Sequence, residues 1–307
     1  MQHHIQKYLE DTTEIIDLKN DSIIAKIAVN IGNTLFSLKQ NETEKLYFPF
    51  SFDEYKTNTK LAGNPLMHPW ANRLEADYIQ VENQTYQFPE NQKHLLYRDG
   101  NNLPLHGLLL KSDQWKTIEL YEDMETCFHI AELIFDDENM LSLFPFKHSI
   151  QIKHQLRANI LSIETIINNH DEKSMPISFG YHPYFLKEHD AYTLKIPTND
   201  VIEVDEIMIP TGKIFDKSKK WKFIYDEISL KENAFDDGFQ NLQFENEKAN
   251  FELNQIKVQF DKNYPFAQIY APQHATKPYI CIEPMTAATN ALNRNTCKLI
   301  QHNEGFK

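Results

Sequence analysis

Apolar and polar residues alternate with a period of two along much of the chain. In FKHSIQIKHQLRANILSIETIINN (146–169), Ile150, Ile152, His154 and Leu156 fall on one side, with Gln151, Lys153 and Gln155 on the other. After a short turn at 158–159, Leu161, Ile163, Thr165 and Ile167 again share a face. Side chains of a strand project to alternate faces, so this spacing predicts a strand, a tight turn and a second strand. The same alternation runs through Ile256, Val258 and Phe260 within 250–272, and through DSIIAKIAVNIGNTLFSL (21–38). Helical spacing is scarce, and its best candidate is the short stretch 218–223. Many short strands punctuated by Asn, Asp and Pro predict an all-β fold, a large antiparallel β-sandwich or barrel. With only 8 glycines in 307 residues, Asn and Asp are expected to make many of the turns. No internal repeat, low-complexity run or linker interrupts the pattern, so a single domain over residues 1–307 is expected.

Composition narrows the function classes. A hydrophobic content of 41% provides for a substantial core and excludes a disordered chain. The formal charge of -13 disfavours nucleic acid as a partner, because the one dense basic run, KSKKWK at 217–222, is short and sits among acidic residues. Three cysteines without CxxC spacing fit a reducing compartment better than a disulfide framework. The first residues, MQHHIQKYLEDTTEII, lack the apolar stretch of a signal peptide, and no run approaches eighteen apolar residues. A cytoplasmic protein with no membrane partner is therefore expected. The chain has no GxGxxG, no Walker-type phosphate loop, no HExxH and no GxSxG, so neither a cofactor nor a metal is expected.

Four stretches carry unusual polar residues. HPWANRLEADY (68–78) holds Asn72 and Arg73, the latter one of four arginines. Its planar guanidinium suits recognition of a polar ligand or the pairing of a buried carboxylate. In LPLHGLLL (103–110), His106 is the one polar side chain in an apolar run and, taken alone, reads first as a core histidine. SFGYHPYF (178–185) places His182 between Tyr181 and Pro183, where Pro interrupts a ladder and Gly180 permits close backbone approach. In YICIEPMTAATNALN (279–293), Glu283 lies at the end of an apolar strand that Pro284 terminates. A carboxylate there must be paired, hydrogen-bonded or protonated, and burial shifts its affinity for a proton toward the range of a general base.

Taken in order, ANR (71–73), LHG (105–107) with Trp115 following, GYHPYF (180–185), FDDGF (235–239) and IEPMTAATNAL (282–292) resemble the aldose 1-epimerase, or galactose mutarotase, family. The resemblance implies a large antiparallel β-sandwich with a sugar in an open cleft. It implies Glu283 as general base, His182 as general acid and His106 as a supporting donor. Arg73, Asn72 and Asp236 then hold sugar hydroxyls. Asp236 is favoured over Asp237 because the family's acid lies three residues before the phenylalanine, here Phe239. Gly-Tyr before His182 and Pro-Met-Thr after Glu283 depart from the more usual motifs and leave the sugar open.

Anomer exchange needs one base to take the C1 hydroxyl proton and one acid to protonate the ring oxygen, with no cofactor. A carboxylate beside His182 is expected to favour the protonated ring. The expected activity is interconversion of the α and β anomers of an aldohexose by a monomer or weak homodimer. A hexose-6-phosphate mutarotase and a non-catalytic sugar-binding protein are the alternatives.

Overall fold

The computed structural model describes residues 2–187, 192–223, 226–231, 233–273 and 277–307. The chain folds as an antiparallel β-sandwich, in agreement with the period-two pattern. Near the N-terminus, the strands His4–Glu10, Thr13–Lys19, Ile23–Ala28, Thr34–Gln40 and Thr43–Glu44 form a five-stranded meander. A second five-stranded sheet runs in the order Gly305–Phe306, Ile160–Asn169, His148–Arg157, Thr126–Phe135, Lys116–Glu122. The hairpin read at 146–169 is thus present, with Ile150 opposite Ile167 and Ile152 opposite Thr165 on the buried face.

The largest sheet has eight strands. Its centre is Tyr279–Met285, flanked on one side by Phe266–Ala271, Phe235–Phe239, Asp200–Val204 and Pro210–Asp216. On the other side lie Gly180–Tyr181 and Leu66–Met67, while Tyr184–Leu186 also pairs with the central strand. One continuous cluster of buried apolar side chains, from Ile16 to Phe306, joins these sheets. Among the described residues, no helix is long and apolar enough to cross a membrane.

Two local expectations change. The stretch 218–223 does not become an α-helix. Asp216 instead accepts from the Ser218 backbone N–H and starts a 3₁₀ turn over Lys217–Lys219, and Trp221 then leaves the turn to stack on Phe235 at 4.6 Å. The longer of the two α-helices among the described residues is Phe52–Thr57, begun by a capping box in which Ser51 and Glu54 satisfy each other's backbone N–H groups. The turns use asparagine as expected. Most non-glycine residues with positive φ are Asn, the residue whose short side chain best tolerates this conformation.

Histidines pair in the core at two points. His148 donates its Nδ1 proton to the Phe146 carbonyl at 2.7 Å, which leaves its Nε2 as acceptor for the His68 Nε2–H at 2.8 Å. Both rings are therefore neutral. This contact ties the segment after Leu66–Met67, which leads to Asn72 and Arg73, to the opposite sheet. His129 and His154 stack 6.2 Å apart in the core of the second sheet. Burial pulls His129 and His154 each down to about 3 and His148 to about 4.

Because these folded-state values lie below the ordinary value of 6.5, the unfolded chain binds protons first as the pH falls. Stability is complete above about pH 6.5 and is lost toward pH 3, at about 1.4 kcal/mol per group per pH unit. His154→Leu removes one such group. Urea titrations at pH 7, 6 and 5 should show a stability loss for the variant that is shallower by about one proton. Parallel losses in the two proteins would contradict a neutral, dry His154.

Candidate active site

Glu283 and His182 come together because of how two strands break against a third. On the central strand, Glu283 lies opposite Gln268, and Cys281 lies opposite both Tyr270 and Tyr184. Pairing along its other edge runs through Tyr184–Leu186, skips Tyr181, His182 and Pro183, and resumes at Gly180. The skipped residues let the His182 ring turn toward Glu283. Gly180 makes this approach possible, since a Cβ there would lie 2.3 Å from the Pro284 carbonyl oxygen. The His182 N–H donates to the Pro65 carbonyl at 3.1 Å, and its ring stacks on Tyr184 at 4.5 Å. The result is a 3.3 Å contact between His182 Nε2 and Glu283 Oε1, with both side chains nearly buried.

His106 and Arg73 stand on a neighbouring loop pair. The His106 N–H donates to the Asn72 carbonyl at 2.9 Å, and Arg73 bridges to Leu105. Asn72 and His106 both adopt left-handed backbone conformations, with φ of 56° and 62°. Such a conformation is uncommon for histidine and persists only where the surroundings fix it. Gly107 shows what fixes it here. The backbone passes so close to His68 that a Cβ on Gly107 would lie 2.2 Å from the His68 carbonyl oxygen. The His106 ring then meets the edge of His182 at 4.9 Å and 89°.

Arg73 is held in place by Asp99, which accepts from Nε at 2.7 Å, while Nη1 donates to the Asn72 side chain at 3.0 Å. The carboxylate partner and the open cleft, posed as alternatives by the sequence, are therefore both present. Asp236 stands 3.9 Å from Arg73 Nη2 and accepts from Gln268 Nε2 at 2.8 Å. Strand alternation sends Asp237 the other way, to Lys220.

Together Asn72, Arg73, His106, His182, Asp236 and Glu283 line one cleft of about 480 Å³. Sequence reasoning missed Gln268, Asp99 and the aromatic wall of Tyr97, Tyr270 and Tyr279. Gln268 is polar yet buried in an otherwise apolar strand, the same signal that drew attention to Glu283. Asp99 sits in the turn YRDGN and gave no such signal. Among the described residues, no group of three or more His, Cys, Asp or Glu side chains is arranged to hold a metal.

Electrostatics correct one expectation. Glu283 does not keep His182 protonated. Burial pulls the imidazole down to about 3, and the Arg73 charge adds to this. Burial also pushes the Glu283 carboxyl well above the ordinary 4.5, aided by Asp236 and opposed by Arg73. Desolvating two charges opposes their attraction, so burial favours the neutral acid and the neutral imidazole in the sugar-free pair. His106 is lowered in the same way, by burial first and then by His182 and Arg73.

A raised carboxyl binds its proton more tightly in the folded state. Its stability contribution is present below about pH 4.5 and is lost as pH rises through the folded-state value. Glu283→Gln keeps the shape and cannot ionise. As pH rises above about 4.5, wild type should therefore lose stability relative to Glu283→Gln in chemical denaturation. A constant difference across that range would mean that Glu283 is already ionised.

The sequence model of the aldose 1-epimerase family matches residues 14–300. YihR of Escherichia coli K12, itself uncharacterized, is 25% identical over 240 residues, which are 75% of this chain and 73% of that protein. A galactose mutarotase-like protein from Clostridium acetobutylicum superposes with a TM-score of 0.86 at 21% identity, over 99% of this chain and 96% of the other. Galactose 1-epimerase from Lactobacillus acidophilus does so with a TM-score of 0.74 at 19% identity, over 99% and 96%. The fold is thus that of galactose mutarotase-like proteins, and the family points to a mutarotase-type carbohydrate epimerase. With nearly its whole length matched, this chain belongs to the aldose 1-epimerase family.

Proposed function

We propose that the protein is an aldose 1-epimerase that interconverts the α and β anomers of an aldohexose. The observation that carries this reading is the 3.3 Å pairing of an imidazole, His182, with a carboxyl, Glu283, among the residues that line the cleft. Nδ1 of His106, Nδ1 of His182 and Oε2 of Glu283 are buried without hydrogen-bond partners. Leaving such groups unpaired costs about 1–3 kcal/mol each, so these residues are kept at the expense of stability.

In the proposed reaction, the edge of the pyranose bearing C1 and O5 lies over the His182–Glu283 pair. Glu283 takes the O1 proton, the O1 electrons form the C1 carbonyl, and the C1–O5 bond breaks. O5 receives a proton from His182. Rotation about C1–C2 presents the other carbonyl face, and ring closure reverses both transfers. The pair carries one proton throughout. It sits on His182 before ring opening and on Glu283 after it.

The neutral sugar-free pair has the same proton count as the ring-opened complex. An O1 hydroxyl donating to Glu283 favours the ionised carboxylate for the closed ring, as does the nearby Arg73 charge. In this reading His106 donates toward O5. Arg73, Asn72, Asp236 and Gln268 fix the ring by its hydroxyls.

Polarimetry on freshly dissolved α-galactose and α-glucose tests the reading. Wild type should accelerate mutarotation of at least one sugar. Glu283→Gln and His182→Gln should each lose about 10²–10⁴-fold in kcat. Full activity in Glu283→Gln, or no acceleration by wild type, refutes it.

A phosphorylated hexose is a second reading, favoured by Lys60 and Lys277 on the lining of the cleft. Comparing rates on glucose and glucose 6-phosphate separates the two.

A further inference from the structure

The wall of the cleft formed by Thr59, Lys60 and Leu61 has an anchor outside the cleft. The helix Phe52–Thr57 delivers the chain to this wall. A helix end leaves carbonyls without intrahelical partners, and here Lys111 takes two of them. Its Nζ donates to the Tyr55 carbonyl at 2.5 Å and to the Asn58 carbonyl at 2.7 Å, and it lies 4.2 Å from the centre of the Tyr55 ring. Tyr55 in turn donates its hydroxyl to the Ala62 carbonyl at 3.2 Å. The entrance and exit of the 59–61 wall are thus fastened by two side chains in contact with each other.

Beyond the exit, the chain is stitched to the floor of the cleft. Tyr184 N–H donates to the Gly63 carbonyl at 2.8 Å, and His182 N–H donates to Pro65. Leu61 packs with Tyr184 and Tyr279. The entrance depends on an ammonium that is half-buried and meets carbonyls. Burial pulls Lys111 down to about 8, a penalty that a merely solubilising lysine would not carry.

We propose that Lys111 is a positioning residue that holds the 59–61 wall against the bound sugar while taking no part in proton transfer. The proposal rests on the mutarotase reading only for its kinetic arm. Lys111→Met keeps the length of the side chain and removes the donor. Its KM for the sugar should rise about 5–10-fold with kcat within about twofold of wild type, the pattern of lost uniform binding. Trypsin should cut after Lys60 several-fold faster than in wild type. Lys111→Arg retains a cation able to reach carbonyls and should bring KM and cleavage back to within about twofold of wild type.

An unchanged KM in Lys111→Met overturns the proposal, as does a fall in kcat at constant KM. So does a Lys111→Arg protein that behaves like Lys111→Met. If wild type shows no mutarotation, the functional reading fails by itself. The trypsin arm then still decides whether Lys111 fastens the wall, and unaltered cleavage after Lys60 overturns that.

Discussion

Everything at the floor of the cleft depends on keeping a carboxyl group out of water beside an imidazole. Glu283 is 1% exposed and touches His182 at 3.3 Å. In water, the two would form a carboxylate and, below about pH 6.5, an imidazolium. Here burial makes both charges expensive, and the pair holds one proton as a neutral unit. The proposed ring opening uses that single proton, which passes between the two groups by way of the sugar. Surface salt bridges elsewhere in the molecule, such as that between Lys262 and Glu247, involve exposed partners and are worth little by comparison.

Such a pair can be held only by a rigid frame, and the frame is backbone. Gly180 lets the strand carrying His182 touch the carbonyl of Pro284, one residue beyond Glu283. Gly107 lets the loop carrying His106 touch the carbonyl of His68, whose ring is locked to His148 across the sandwich. His68 and His148, buried outside the cleft, thus serve its geometry. One neutral N–H···N contact, from His68 to His148, crosses the core without leaving a charge there. The trade is acid sensitivity, because protonating any of these rings forces a buried charge or an opened core.

Much of this was legible in the sequence, and the parts that were not share a cause. Period-two alternation at 146–169 revealed the hairpin, because burial on one face imposes that spacing directly. His106, His182 and Glu283 stood out because a polar residue in an apolar run needs a reason. Asp99 did not, since an aspartate in an Asp-Gly turn already has a local explanation, and its grip on Arg73 is a long-range pairing. The helix at Phe52–Thr57 was signalled by Ser51 and Glu54, but six residues are too few to show a helical period. The protonation of His182 was misjudged for a different reason. Sequence shows which charges are neighbours, whereas the depth at which they meet decides whether they remain charges.

Floor and wall of the cleft are built from different physical materials. The floor is made of ladder-bound strands in the centre of an eight-stranded sheet, where a shift of one residue would turn Glu283 away from the cleft. The wall at 59–61 is a loop, fixed at its ends by side chains reaching to carbonyls. Proton transfer tolerates little displacement, because small misplacements at a reacting centre are costly. Sugar selection needs only a surface that can be reshaped without disturbing the sheet. The family resemblance follows this division, with the most telling motifs, GYHPYF and IEPMTAATNAL, on the floor. Lys60 and Leu61, which line the side of the cleft, belong to none of those motifs. The chemistry is therefore easier to read from this sequence than the identity of the sugar, because the sheet constrains the one and a tethered loop shapes the other.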